Sequence, residues 1–287
     1  IGQCLFHERK YDEAIKIFEN ILQIDSKNLS ALNSLARTHN EKNEKVKAEE
    51  YYLKALKIDG SSFYLLNNIA GFYRENSSYN KAIDYYKQAL LVNPNNAYIY
   101  NNLAKIYFDL NNHVKAMENS SKALKMKMND GDIQKTASFI YLKDHDFENG
   151  WNYYDGRLDI EDFKEKNNFI KKLNKKLYRS RILNNKKSKF LIVREQGVGD
   201  EILYSSIYED VLRDFDNTII ECDPRLLNFY KRSFPKYRKK FVSLGTITND
   251  DNEFRKIDYI IYAGSLGRYY RKNIKDFKNN SFLKVDE

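Results

Sequence analysis

Small residues recur at a fixed spacing of 34 through the first half of the chain, and this period limits the fold more than any other feature. Ala14, Ala48, Ala82, Ala116 and Gly150 form one series, and Gly2, Ala36, Ala70, Ala104 and Ser138 a second. Phe18, Tyr52, Tyr86, Ser120 and Tyr154 keep the same phase. A period of this length without a slip means one supersecondary unit repeated and stacked. Each unit reads as two antiparallel helices whose small residues let the backbones approach. Large ones such as Leu35, Ile69 and Leu103 fill the gap to the next unit. One unit cannot bury its apolar face alone, so the units must stack into an α superhelix with a concave inner surface. About five units are expected over residues 1–158, the first truncated and the last degenerate at its end.

The pattern resembles the tetratricopeptide repeat. The proline expected near the end of each unit occurs once, as Pro94, with Ser26, Gly60 and Met128 at the equivalent places. By this resemblance the first helix of each unit lines the groove and a protein or peptide is the partner. Asn33, Asn67, Asn68, Asn101 and Asn102 fall on those helices. An asparagine ladder there can grip a peptide backbone through amide hydrogen bonds; the competing reading is that asparagine is simply abundant in this chain. Tyr51, Tyr52, Tyr85 and Tyr86 read as packing residues of the second helices. His7, His39, His113 and His145 show no metal-ligand spacing and read as surface or packing residues, so no metal is expected.

The formal net charge is +9. Nine Lys or Arg and no acid lie between Lys171 and Lys189. Such a run can touch an anionic membrane surface or nucleic acid, or can be a solvated connector. Without aromatic interleaving or zinc spacing, nucleic acid is not an expected partner. Two distant cysteines, Cys4 and Cys222, give no disulfide framework and fit a reducing, cytoplasmic setting. No apolar run is long enough for a membrane helix. Ile1-Gly2-Gln3 falls inside a repeat, which suggests that the natural chain starts further upstream.

The second half reads as α/β. The fifth unit ends in Gly150-Trp151 and Arg157, with the sole tryptophan placed to cap the array. Residues 159–188 form a basic connector, with Phe163, Phe169, Ile170 and Leu173 available to dock it. Residues 189–287 then alternate strands and helices, as in a parallel, Rossmann-like sheet. Phe190 to Val193 reads as a buried strand, Gly197 and Gly199 as a tight turn, and Asp200 as the start of a helix. Ile202, Leu203, Ile207 and Leu212 give that helix an apolar side. Thr218–Glu221, Phe241–Leu244 and Ile257–Tyr262 read as further strands. Asp223-Pro224 reads as the cap of a helix over 225–234. A dinucleotide site is the rival for this strand and turn, and Glu221 and Asp223 lie where its acid is wanted, but its third glycine would fall at Ile202. Asp200-Glu201 after the glycine excludes a phosphate loop of the Gly-Lys-Ser type.

Gly150, Trp151, Tyr154 and Arg157, the Glu195–Asp200 turn, Asp223-Pro224, and Ser265, Leu266 and Arg268 together resemble bacterial tetratricopeptide proteins carrying a glycosyltransferase-like domain. That domain is similar to heptosyltransferases and, more distantly, to the transferase that places N-acetylglucosamine on protein serines. The resemblance implies a GT-B architecture of two Rossmann-like halves, the first holding a sugar or protein acceptor and the second a nucleotide-sugar donor. Only the first half fits within residues 189–287, so the chain by itself is expected to be inactive and to hold no cofactor. The general base in the matching turn maps onto Asp200, which could equally be an N-cap. Glu195, Gln196, Gly197 and Gly199 complete the ligand loop, and Glu201 is a weaker acid candidate. Gly197 and Gly199 would let a ligand approach the backbone, or would supply positive backbone angles to the turn. The alternative function is a non-catalytic protein-interaction scaffold.

Overall fold

The 34-residue period is carried by backbone geometry as well as by side chains. A computed structural model describes residues 1–160, 173, 176–178, 180, 183–184, 186–194, 197–277 and 281–284. Ten helices occupy the repeats: α1 Gly2–His7, α2 Tyr11–Ile24, α3 Leu29–Glu41, α4 Lys45–Ile58, α5 Phe63–Glu75, α6 Tyr79–Val92, α7 Ala97–Asp109, α8 His113–Met126, α9 Gly131–Lys143 and α10 Phe147–Tyr154. Within each hairpin the first helix ends on one left-handed residue. These are Arg9, Asn43, Ser77, Asn111 and His145, with φ between 54° and 61° and a spacing of 34. None is glycine, although a left-handed residue with a Cβ costs roughly 1–2 kcal/mol. The turn is held instead by the Schellman bond, as in Lys10 N–H to the Leu5 carbonyl and Glu44 N–H to the His39 carbonyl. Asn28, Ser62, Asn96 and Asp130 start the first helices of successive units, and all but Ser62 accept a backbone N–H with the side chain.

The chain divides into two compact units, residues 1–128 and 129–287. The first holds α1–α8 as four stacked hairpins. Ala14, Ala48, Ala82 and Ala116, and Ala36, Ala70 and Ala104, are wholly buried, as the small-residue series requires. Polar bonds join neighbouring hairpins: Lys42 to Asp12 at 2.6 Å and Lys81 to Glu49 at 3.0 Å. The second unit begins with the fifth hairpin, α9 and α10, and continues into the α/β region.

That region holds a four-stranded parallel sheet, β1 Phe190–Val193, β2 Thr218–Cys222, β3 Phe241–Ser243 and β4 Tyr259–Tyr262, in the order β3-β2-β1-β4. Phe190 pairs with Thr218 on one side and Tyr259 on the other. β1 is apolar at every position because both faces of the sheet are covered. Phe190 and Ile192 pack with Tyr208, Val211, Tyr230 and Phe241 on one face. Leu191 and Val193 pack with Leu158, Leu173, Phe254 and Ile257 on the other. Leu173 thus docks the connector as expected; Phe163, Phe169 and Ile170 lie outside the described residues. Leu177 bridges Ile260 alongside β4, and Lys176 donates to the carbonyls of Phe254, Arg255 and Ile257.

Several local expectations are corrected. The helix after β1, α11, runs Val198–Tyr204 with Gly197 at its N-cap, so Asp200 is its third residue and not the cap. Its continuation is broken by a 3-10 turn at Ser205–Ile207 before α12, Tyr208–Asp214. Ile207 and Leu212 are buried, but Leu203 faces solvent. Asp223 does not cap a helix either. α13 spans Leu227–Ser233, and Asp223 instead closes a turn by accepting the Arg225 N–H at 2.9 Å.

Candidate functional site

The order β3-β2-β1-β4 reverses direction between β1 and β4, and ligands of open α/β sheets bind beyond the carboxyl ends of the strands at such a point. The segment leaving β1 is the glycine turn, and the segment leaving β4 is a 3-10 turn, Ala263–Leu266, followed by α14, Gly267–Tyr270. Glu195 and Gln196 lie outside the described residues. Gly197 has φ −69°, and Gly245 is the glycine with positive φ, so backbone angle does not explain Gly197 or Gly199. Packing does not explain them either. A Cβ at Gly199 would meet nothing within 4 Å, and one at Gly197 would meet Asp200 Oδ2 at 3.8 Å. Asp200 is half-buried and has no hydrogen bond or ion pair among the described residues.

Beside this turn the sheet edge carries a charge cluster. Glu201, 2% exposed, accepts the Asp223 N–H on both carboxylate oxygens, at 3.1 and 3.2 Å. Arg194, directly after β1, lies 3.3 Å from Glu201 through Nε and donates to Asp223 through Nη1. Arg225 grips Asp223 from outside at 2.8 and 2.9 Å. Burial pushes the Glu201 carboxyl up to about 7, outweighing the Asp223 N–H and Arg194, which act to lower it. The hydrogen bonds from Arg225 hold Asp223 well below the usual carboxylate range. Two adjacent acids are therefore driven apart by environment, as at sites that handle protons. The sequence reading ranked Glu201 low. Its one signal, an acid among the apolar positions of a helix start, was no stronger than that of Asp200. Neighbouring Cys222 is buried, and burial pushes its thiol up to about 12, so it is no nucleophile near neutral pH.

The acids of the dinucleotide reading are committed elsewhere. Glu221, fully buried, accepts from Thr248 N–H at 2.9 Å and from Thr248 Oγ1 at 2.8 Å. Asp223 is held by its arginines. The residues around Trp151 serve docking. Trp151 Nε1 donates to the Arg271 carbonyl at 2.8 Å, and its ring lies on Gly267, where a Cβ would come within 2.6 Å. Arg157 covers the Tyr154 ring at 4.0 Å and donates to Ser265 Oγ at 3.1 Å. Asp155 accepts from Ser265 at 2.7 Å and pairs with Arg268 at 3.0 Å. The expected cap thus joins the fifth hairpin to the segment leaving β4.

In the repeats the asparagines differ in surroundings. Asn68 donates to Asn33 at 2.9 Å, and Asn102 accepts from Arg74 at 3.0 Å. Asn101 is buried. Asn67 is half-buried and has no hydrogen-bond partner among the described residues. No group of acids, histidines and cysteines suited to a metal occurs among the described residues, nor any helix long and apolar enough to cross a membrane.

Comparison with known proteins bears on the helical part. A family model described as "Tetratricopeptide repeat" matches residues 5–64, and one described as "TPR repeat" matches residues 72–130. No curated protein matches the chain. Among solved structures, PilF of Pseudomonas aeruginosa is similar at 24% identity and a TM-score of 0.51, over 54% of this chain and 71% of that one. A MamA RS-1 double mutant is similar at 14% identity and a TM-score of 0.50, over 58% of this chain and 94% of that one. These likenesses concern fold. The two family matches, together with the helix pairs and their left-handed turns, establish that residues 5–64 and 72–130 of this chain are built of tetratricopeptide repeats.

Proposed function

We propose that the repeats hold a protein or peptide partner and that the carboxyl edge of the sheet holds the acceptor of a glycosyl transfer, with Asp200 as general base. One observation carries the second part: Gly197 and Gly199 are required neither by backbone angle nor by packing, and they directly precede Asp200, whose carboxylate has no hydrogen bond or ion pair among the described residues. Glycines so placed leave room for a ligand against the backbone. The Rossmann-like half-domain and GT-B arrangement belong to this reading, as does a nucleotide sugar as donor. A second reading, a non-catalytic scaffold, draws on the neighbouring cluster, where Arg194, Glu201, Asp223 and Arg225 satisfy one another.

The full-length protein incubated with a panel of nucleotide sugars tests the two. The transferase reading expects nucleotide release, lowered about 10²–10⁴-fold by Asp200→Asn. Gly199→Ala should leave the fold intact and weaken acceptor binding. No release, with wild type and Asp200→Asn alike, rejects the transferase and leaves the scaffold. For the repeats, Asn67→Ala should weaken peptide capture from a library with no loss of helical signal; unchanged capture removes that amide from the groove.

A further inference from the structure

The second unit contains a cavity of about 380 Å³ that shares no residue with the glycine turn. It lies against the helical layer of the sheet, between α12, α13 and residues 271–277 and 281–284. Its size falls within the usual range for small-ligand sites, roughly 300–1,000 Å³. The floor is Arg271, 3% exposed, with the buried Phe234. Phe277 and Phe282 form walls, and Lys284 stands at the rim.

Arg271 is anchored but not saturated. Nη1 donates to Asp210 Oδ2 at 3.0 Å and to the Tyr270 carbonyl at 2.8 Å, and Nη2 to the Ser206 carbonyl at 2.6 Å. A guanidinium carries five N–H donors, so two have no partner among the described residues. The Lys284 ammonium has no ion-pair partner among them either. The acids nearby are Asp210, bound to Arg271 and Arg213, and the exposed Glu209 at the rim. The rings of Phe234 and Phe282 lie 6.1 Å apart, centre to centre.

We infer that this cavity binds a small anion carrying a flat ring, with the phosphate or carboxylate at Arg271 and Lys284 and the ring among the phenylalanines. An apolar wall with a few convergent polar donors is the usual make-up of a small-molecule site. A guanidinium fixed by other bonds is pre-organised for an oxyanion. The inference rests on residues apart from Asp200 and stands or falls separately from the glycosyl-transfer reading.

Phenyl phosphate, glucose 1-phosphate and inorganic phosphate are titrated into the whole chain by calorimetry. Trp151 emission is followed in parallel, since its indole is bonded to the Arg271 carbonyl. Phenyl phosphate should bind, and glucose 1-phosphate, whose ring is puckered, and inorganic phosphate should each bind more weakly by about tenfold or more. Arg271 is buried and its loss endangers the fold, so the surface variants Lys284→Ala and Phe277→Ala decide. Each should weaken ring-phosphate binding by about fivefold to tenfold with an unchanged circular dichroism spectrum. Three results overturn the inference: no binding of phenyl phosphate at about 10 mM, a weak limit in affinity terms; affinity for inorganic phosphate or glucose 1-phosphate equal to that for phenyl phosphate; or phenyl phosphate binding unaffected in either variant.

Discussion

Glu201 and Asp200 are adjacent acids with opposite surroundings, and the difference comes from what each faces. Asp200 is half-buried and bonds to no described residue; Glu201 is packed under Asp223 and beside Arg194. The consequence for stability has a definite sign. The folded state raises the Glu201 carboxyl from about 4.5 to about 7, so between those values the folded protein holds a proton that the unfolded chain has lost. Stability from this group is full below about pH 4.5 and falls as pH rises through 7, by on the order of 3 kcal/mol. Asp223 acts oppositely, since its depressed carboxyl favours the folded state until acid protonates it below the usual range. Glu201→Gln should therefore raise the melting temperature more at about pH 8 than at about pH 5, leaving the acid limb in place. Parallel curves for wild type and variant would contradict this. Gly199→Ala should be neutral or stabilising by about 0.4–1 kcal/mol in denaturant unfolding, because a compatible alanine restricts the unfolded chain. A loss of stability there would mean that the turn needs its glycine for packing.

At the scale of elements, the fifth hairpin is joined to the segment leaving β4 in part by close contact between the Trp151 ring and Gly267. Gly267→Ala would set a Cβ about 2.6 Å from the Trp151 ring, a contact that backbone or ring must relieve. Overpacking of this kind typically costs about 1–3 kcal/mol. The variant should melt earlier and shift Trp151 emission toward that of a solvated indole. An unchanged emission maximum would show the ring is not seated there in solution. The hairpin turns show local preference giving way to stacking. Arg9, Ser77 and His145 adopt a conformation that suits glycine or asparagine better. Burial of the alanine series on both helices fixes where each turn must fall.

For the whole molecule, two compact units imply two separable stabilities. Residues 1–128 comprise four hairpins whose contacts are with their neighbours, so a fragment of that span should be helical and unfold cooperatively. A fragment ending at Val92 lacks the fourth hairpin and one interface, and should unfold at lower denaturant. Equal midpoints would mean that the last interface contributes nothing. The same division explains why the repeat period runs past the first unit. The fifth hairpin obeys the 34-residue spacing, yet it groups with the sheet, because Trp151, Tyr154 and Arg157 turn its surface to the α/β segment.

The sequence by itself determined the repeats. A period of 34 with two small-residue series and one mostly aromatic series specifies helix pairs, their buried faces and their order, because repeat contacts are local and copy one another. It also determined the parallel strands, since an apolar run such as Phe190–Val193 is stable only with both faces covered. Helix starts were less legible: glycine and aspartate near residue 200 both satisfy cap preferences, and only backbone geometry placed the cap at Gly197. Tertiary structure alone decided which acid is buried. Glu201 and Asp223 are 22 residues apart, and neither a period nor a motif records that β1 and β2 bring them together. The same holds for Trp151 on Gly267 and for the cavity at Arg271. Each depends on long-range contacts between unlike elements, which leave no regular trace in the chain.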